Sequence, residues 1–321
     1  MKKSLAEFLG VPEENIFLFA KGRVGLYALL KALKLTPGDE VLMPGYTCMV
    51  VPSAASFLGL SCKYIDIDPD TYNIDTAQLP RQTTKATRAL IVQHTYGIPA
   101  PMDAVMQWSR ENNIPVIEDC CHAFGSRYQG RLCGTFGIGA FFSGQWNKPF
   151  STGLGDVLVV HEPKLAAAVK RIHDSARDVP FTENILLKMQ IMAYNTLVTP
   201  RTNAFITKLY RVLSRMGIAA GSSSNAELAV QMPSNYLKKI APCQLREGHN
   251  NLRSIKEDIA VRRRNTAYYS EELKKAGFAT LCCRDDIDTV ILRYPVRVAN
   301  KQEVLSRALA HNIEIGSWFE V

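Results

Sequence analysis

None of the eight cysteines forms a C-x-x-C pair, and two pairs, Cys120-Cys121 and Cys282-Cys283, are vicinal. Vicinal pairs suit neither a zinc knuckle nor a disulfide framework, so no metal site is expected and the thiols read as reduced. Long apolar runs are missing too. A run such as Val50–Leu60 is too short and too interrupted to span a hydrocarbon core about 30 Å thick. The amino terminus, Met1-Lys2-Lys3-Ser4-Leu5, leads to Glu7, Gly10 and Pro12 with no apolar signal core or small-residue cleavage site. A cytoplasmic location is therefore expected. Zinc-finger spacing and aromatic RNA-binding signatures are absent as well. The net charge of +8 thus points away from nucleic acid and toward small anionic ligands.

What remains is a soluble globular composition, 47% hydrophobic and 21% charged, without repeats or low-complexity tracts. Its length suggests about two domains. Val24–Leu35 carries apolar residues at helical spacing, and Thr36-Pro37-Gly38-Asp39 stops it. Glu40–Pro44 reads as a buried strand, Pro52–Leu60 as a helix ending near Gly59, and Lys63–Ile67 as the next strand. Arg88 to Asp119 is the most legible stretch. Ala89–Val92 is an apolar strand ending at His94-Thr95-Tyr96-Gly97, Met102–Glu111 a helix, and Ile114–Ile117 a strand ending at Glu118-Asp119. Such a strand–helix–strand unit implies a parallel sheet covered by helices, whose ligands bind beyond the carboxyl ends of the strands.

Further strands are expected at Ala140–Phe142, Val157–Val160, Val290–Val298 and Ile313–Ser317, with helices at Lys164–Asp174, Glu257–Lys275 and Lys301–Ala310. Residues 182–228 are polar, basic and helical, with breaks at Thr199-Pro200 and Gly221-Ser222-Ser223-Ser224. The expected organisation is a large domain over residues 1–180, a linker or lid over 181–235, and a small α+β domain over 236–321.

Four groups carry candidate chemistry. Lys148 follows an apolar strand in Ser143-Gly144-Gln145-Trp146-Asn147-Lys148; alone, S-x-x-x-x-K also describes a solvated loop lysine. Asp119 ends a buried strand, where a carboxylate needs a cationic partner, or else caps the next turn. His122 lies just beyond and is either a ligand or a satisfied structural histidine. Gly22-Arg23-Val24-Gly25 opens a helix whose free N–H groups and dipole suit a phosphate, with Arg23 adding charge-assisted bonds. Together these are the parts that pyridoxal-5′-phosphate (PLP) asks of a protein: a lysine for its aldehyde, a carboxylate for its pyridine nitrogen, and a grip for its phosphate.

At this point the chain resembles the DegT/DnrJ/StrS family of PLP-dependent sugar aminotransferases of fold type I. The likeness covers about Gly22 to Val160 and, more loosely, Asn235 to Phe319. It rests on Gly22-Arg23, Pro37-Gly38-Asp39-Glu40-Val41, Pro44-Gly45-Tyr46-Thr47, Asp66-Ile67-Asp68, His94 with Gly97, Ile117-Glu118-Asp119-Cys120-Cys121-His122-Ala123-Phe124-Gly125, Phe142-Ser143, Lys148 and Thr152-Gly153. The resemblance implies an α/β fold with a mostly parallel sheet in the large domain and a small C-terminal α+β domain. It implies that Lys148 holds the cofactor as a Schiff base and shuttles the proton. It implies that Asp119 pairs with the pyridine nitrogen and that His122 lies near the phenolic oxygen. Ser143 and the Gly22-Arg23 backbone would bind phosphate. Lys239 falls where a family side chain reaches the phosphate of the partner subunit in a homodimer. Cys48 stands where the family has a ring-stacking aromatic, and Gly153-Leu154-Gly155-Asp156 replaces an acidic, glycine-rich run. The family chain also continues well past Phe319, so a shortened small domain is expected. The implied reaction moves an amino group from an amino acid, glutamate first, to a nucleotide-linked keto-sugar. Two other readings are a PLP-binding regulator without turnover and a sugar dehydratase, against which Lys148 argues because such enzymes carry His there.

Overall fold

The computed structural model describes all residues except 200, 218, 222–230, 282–285, 314 and 317–321. Among the described residues ten strands form, in chain order: β1 (Ile16–Phe19), β2 (Glu40–Pro44), β3 (Ser61–Ile65), β4 (Thr87–Gln93), β5 (Val116–Asp119), β6 (Arg127–Tyr128), β7 (Arg131–Leu132), β8 (Gly139–Gln145), β9 (Leu154–Val160) and β10 (Ile287–Asp288). Seven of them make the main sheet, in the order β1-β9-β8-β5-β4-β2-β3. Neighbours from β3 through β8 pair in parallel, while β9 runs antiparallel to both β8 and β1. β9 is buried at every position, Asp156 included, as a strand covered on both faces is.

Helices supply the cover. Gly22–Ala32, Val50–Ser56 and Pro163–Asp174 pack on the face that carries Phe19, Ile117, Phe141 and Leu158. On the other side Lys2–Leu9 packs near Phe142 and Val159, and Met102–Asn112 packs near Leu90 and Val116. The expected helix and strand boundaries between Glu40 and Asp174 hold to within a few residues.

The carboxyl-terminal part differs from expectation at Val290–Val298 and at the described residues of the expected strand Ile313–Ser317, Ile313, Ile315 and Gly316, none of which is in a strand. Val290–Val298 is not a strand; only the short β10 precedes it, pairing with β6. The backbone of this segment is satisfied elsewhere. Val290 N–H donates to Ser126 Oγ at 2.9 Å, and Leu292 N–H donates to the Tyr96 carbonyl at 2.8 Å. Pro295 has no N–H to offer a ladder. The segment is thereby stitched to the turn after β4, where Tyr96 and Gly97 both have positive φ. A Cβ on Gly97 would stand 2.2 Å from the Val290 carbonyl oxygen, so only glycine admits this approach. Helices Pro242–Arg253, Ile255–Lys275 and Lys301–Ala310 complete the region. The expected serine-rich break at Ser222-Ser223-Ser224 and parts of the expected strand Ile313–Ser317 lie outside the described residues.

Candidate active site

The parallel strands β4, β5 and β8 all end at one edge of the sheet, and the candidate residues gather there. Asp119 is the last residue of β5 and is 4% exposed. Its Oδ1 accepts the Cys121 N–H at 3.0 Å. Desolvation raises the Asp119 pKa, while the hydrogen bonds from Cys121 and the charge of Lys148 oppose the rise. Lys148 follows β8 and is half-buried. Burial lowers its amine pKa; Cys121, Asp119 and Cys48 pull it back up, and Arg293 pushes it further down. Lys148, Asp119, Cys48, Cys121 and Arg293 therefore share one electrostatic neighbourhood. A lysine with a depressed pKa beside a buried carboxylate is the arrangement of a nucleophilic amine.

His122 is buried, and its Nδ1 accepts the Tyr96 N–H at 3.2 Å. An accepting Nδ1 leaves the proton on Nε2. Burial, helped by Lys148 and Arg293, holds the ring pKa well below the usual histidine range, so the imidazole is neutral. Cys48 is exposed and electrostatically coupled to Lys148. Beside it Thr47 Oγ1 donates to Gln93 Oε1 at 2.8 Å, and the hydroxyls of Tyr46 and Tyr96 are bonded to each other.

A polar cradle is built where helix Gly22–Ala32 meets β8. Its N-cap, Lys21, supplies no side-chain cap. A Cβ on Gly22 would come 3.1 Å from Ser143 Oγ; glycine keeps the hydroxyl and the helix N-terminus open to one another. Arg23 is buried in the first turn. Ser143 is paired in register with Asp156 on β9, so the two side chains leave the same face of the sheet. Asp156 is fully buried. Its Oδ2 accepts the Gly25 N–H at 2.8 Å, while its Oδ1 is buried without a hydrogen-bond partner.

The structure thus brings Lys148, Asp119, His122 and Cys48 together and sets Gly22, Arg23 and Ser143 beside one another. It does not bring Lys239 to them. Lys239 bridges to Phe19 at the outer edge of β1, and its Nζ pairs with Asp178 at 3.3 Å. Three contributors escaped sequence reasoning. Arg293 comes from a segment read as a strand and carries no motif. Asp156 was visible as a carboxyl ahead of Val157-Leu158-Val159-Val160, a signal of a buried acid. Glu118, next to Asp119 in the sequence, anchors the neighbouring loop. It accepts N–H bonds from Gly134 (2.7 Å), Phe136 (2.6 Å) and Gly137 (2.8 Å) and meets His94 Nε2 at 3.1 Å. Desolvation opposes its ionisation, but His94 and the backbone donors hold its pKa low. His94, Glu118 and Cys120 lie close enough to suggest a metal, yet His94 Nδ1 already accepts the Ala100 N–H at 3.0 Å. These groups satisfy one another as a structural knot.

The arrangement fits PLP on two observations of this chain: the cradle that a Cβ at Gly22 would fill, and the buried Asp119 carboxyl, which a cation would suit. Solved structures agree on the fold. A DegT DnrJ EryC1 StrS aminotransferase from Brucella abortus superposes over 97% of this chain and 72% of its own, with a TM-score of 0.73 at 18% identity. AtS13 from Actinomadura melliaura does so over 98% and 74%, with a TM-score of 0.71 at 24% identity. The chain has the α/β fold of the type I PLP-dependent transferases. The sequence profile of the DegT/DnrJ/EryC1/StrS aminotransferase family matches residues 1–320, and the chain belongs to that family. Among curated relatives, the UDP-2-acetamido-2-deoxy-3-oxo-D-glucuronate aminotransferase of Pseudomonas aeruginosa is 28% identical over 95% of this chain and 71% of its own. The GDP-perosamine synthase of Caulobacter vibrioides is 32% identical over 55% of this chain. The match spans about half the length of that synthase, 47%, and 40% of the Escherichia coli O157:H7 enzyme of the same name.

Proposed function

We propose that this chain is a PLP-dependent aminotransferase that moves an amino group from glutamate to a nucleotide-linked keto-sugar. The observation that carries the reading is Lys148, half-buried with a lowered pKa, in the electrostatic field of Asp119 at the carboxyl ends of β5 and β8. When bound, PLP supplies an aldehyde and an electron-withdrawing ring. Lys148, whose amine pKa burial lowers, would offer that amine to the aldehyde and take and return the proton at the substrate carbon. Asp119 holds the ring nitrogen protonated, because a nearby negative charge favours the cationic form. His122 presents Nε2–H as a donor to the phenolic oxygen. Ser143, Arg23 and the N–H groups that open the helix at Gly22 grip the phosphate. Cys48 would pack against the ring. The net charge of +8 suits a substrate bearing a diphosphate. Relatives named for nucleotide-linked keto-sugars support that class, and the working unit in this reading is a cytoplasmic homodimer.

The test has two parts. Borohydride reduction of the protein after incubation with PLP should fix the added mass to Lys148 by peptide mapping. A panel of nucleotide-linked keto-sugars, each with glutamate or glutamine, should contain a substrate. Lys148→Ala should lose turnover by several orders of magnitude. Near-normal turnover in that variant would overturn the assignment of Lys148. PLP on Lys148 with no sugar consumed would leave a binding protein rather than an enzyme.

A further inference from the structure

Helices Phe181–Leu197 and Asn203–Arg215 occupy the stretch expected to be a linker or lid. Their inner faces are accounted for. Leu187 and Ile191 are buried, the Tyr194 ring packs 4.9 Å from that of Trp146, and Tyr210 donates its hydroxyl to the Ala220 carbonyl at 3.0 Å. Gln190 Nε2 reaches the same carbonyl at 3.5 Å. The first helix therefore rests on the body of the protein at Trp146, and Tyr210 and Gln190 tie the two helices together at Ala220.

Their outer faces are apolar. Phe181, Ile185, Met189 and Met192 fall on one stripe of the first helix and are 77%, 41%, 63% and 58% exposed. Phe205, Leu209 and Val212 on the second, with Met216 at its C-cap, also recur at helical spacing and are 69%, 43%, 46% and 66% exposed. A surface helix ordinarily turns such a stripe to the core; here both are turned to solvent. Contiguous exposure on this scale marks an interaction surface.

Charge selects the partner. Residues 181–217 hold Lys188, Arg201, Lys208, Arg211 and Arg215 against one acid, Glu183, and Glu183 is engaged by Lys238 at 2.7 Å. Lys188, Arg201, Lys208 and Arg211 are all exposed. A twofold contact of this face with itself would oppose cations to cations. A helix with an apolar stripe and a Lys/Arg flank instead suits the boundary between headgroups and acyl chains. We infer that this helix pair is a docking surface for an anionic lipid bilayer. The protein lies on the membrane through it: among the described residues no helix is long and apolar enough to cross. The inference stands apart from the proposed activity.

The test is flotation of the full chain with vesicles of phosphatidylcholine, with and without phosphatidylglycerol. The protein should float with the anionic vesicles only, and release in about 1 M salt, where the screening length falls to about 3 Å. Phe205→Ser with Leu209→Ser should lower the partition coefficient about tenfold or more for each side chain. Lys208→Glu with Arg211→Glu should lower it about fivefold or more for each charge. All four side chains are exposed, so the melting temperature should stay unchanged. Absence of flotation, equal flotation with neutral vesicles, or flotation indifferent to both double variants overturns the inference. So does an oligomer that the Phe205→Ser/Leu209→Ser variant dissolves while the parent ignores vesicles, which would make this a contact between copies.

Discussion

Asp119 and Asp156 lie on one face of the sheet, and both carboxyls are taken out of water. For Asp156, burial pushes the pKa well above the carboxylate range; the Gly25 and Val157 N–H groups and Arg23 pull the other way, while Asp119 adds to the rise. A group that holds its proton more tightly when folded stabilises the protein below its unfolded pKa, about 3.9 for Asp. That contribution is lost as pH rises toward the folded value. Asp156→Asn keeps an oxygen for Gly25 and cannot ionise. Denaturant unfolding of ligand-free protein from about pH 4 to about pH 8 should show the parent losing stability relative to this variant as pH rises. The comparison cancels groups such as Glu118, whose lowered pKa acts in the opposite sense. A difference that stays flat with pH would mean that Asp156 ionises as it does in the unfolded chain. Asp119 should respond differently to the same exchange. Asp119→Asn retains an oxygen for the Cys121 N–H and removes a costly buried charge, so ligand-free stability should not fall. Turnover should fall about a hundredfold or more, roughly 3 kcal/mol of lost transition-state stabilisation. Parental turnover with bound PLP would make Asp119 structural.

At the scale of elements, helix Gly22–Ala32 is seated beside the cradle by its contact with β9, and two residues set that contact together. A Cβ on Gly25 would stand 2.2 Å from Asp156 Oδ2 and 3.1 Å from Leu158 Cβ. Gly25→Ala should therefore destabilise the parent by about 1–3 kcal/mol through overpacking. In an Asp156→Gly background only the Leu158 contact remains, and the loss should shrink. A double-mutant cycle by chemical denaturation should return a coupling of about 1 kcal/mol or more. Additive effects would show that the helix and the carboxyl do not depend on one another. The same contact explains what sequence could reveal. β4, β5 and β9 were legible because strands covered on both faces need unbroken apolar runs, and Met102–Asn112 because it covers one face only. Lys148, Asp119 and His122 could be placed at this edge of the sheet because each stands at or just past a strand, while their roles came from the resemblance alone. Val290–Val298 was not legible, since its donors are spent on Ser126 and Tyr96, contacts far off in the chain. Arg293 was lost with it. Asp156 reads as an oddity in an apolar strand until Gly25 and Ser143 are seen beside it.

For the whole molecule, the open matter is where the rest of the phosphate's charge is met. PLP phosphate carries close to two negative charges, about −1.5 to −2 for a phosphomonoester near neutral pH. In the proposed reading, Arg23 and the helix N-terminus would compensate part of it. Lys239 does not reach the cradle of its own chain. It stands at the edge of β1, half-buried, with its Nζ on Asp178, a residue 87% exposed in its side chain. An ion pair so open to water is weak, about 0–1 kcal/mol, and leaves the lysine available to a stronger anion. In the proposed homodimer that anion is the phosphate held by the partner, and twofold symmetry repeats the contact at a second site. Complementation tests this. Lys148→Ala and Lys239→Ala subunits should each be impaired alone. In a heterodimer purified with two different tags, one site carries both lesions and the other carries neither, so activity should return to about half that of the parent. Lys239 acting within its own chain predicts no return, because each site would then keep one lesion. A fully active monomer would dispose of the shared site altogether.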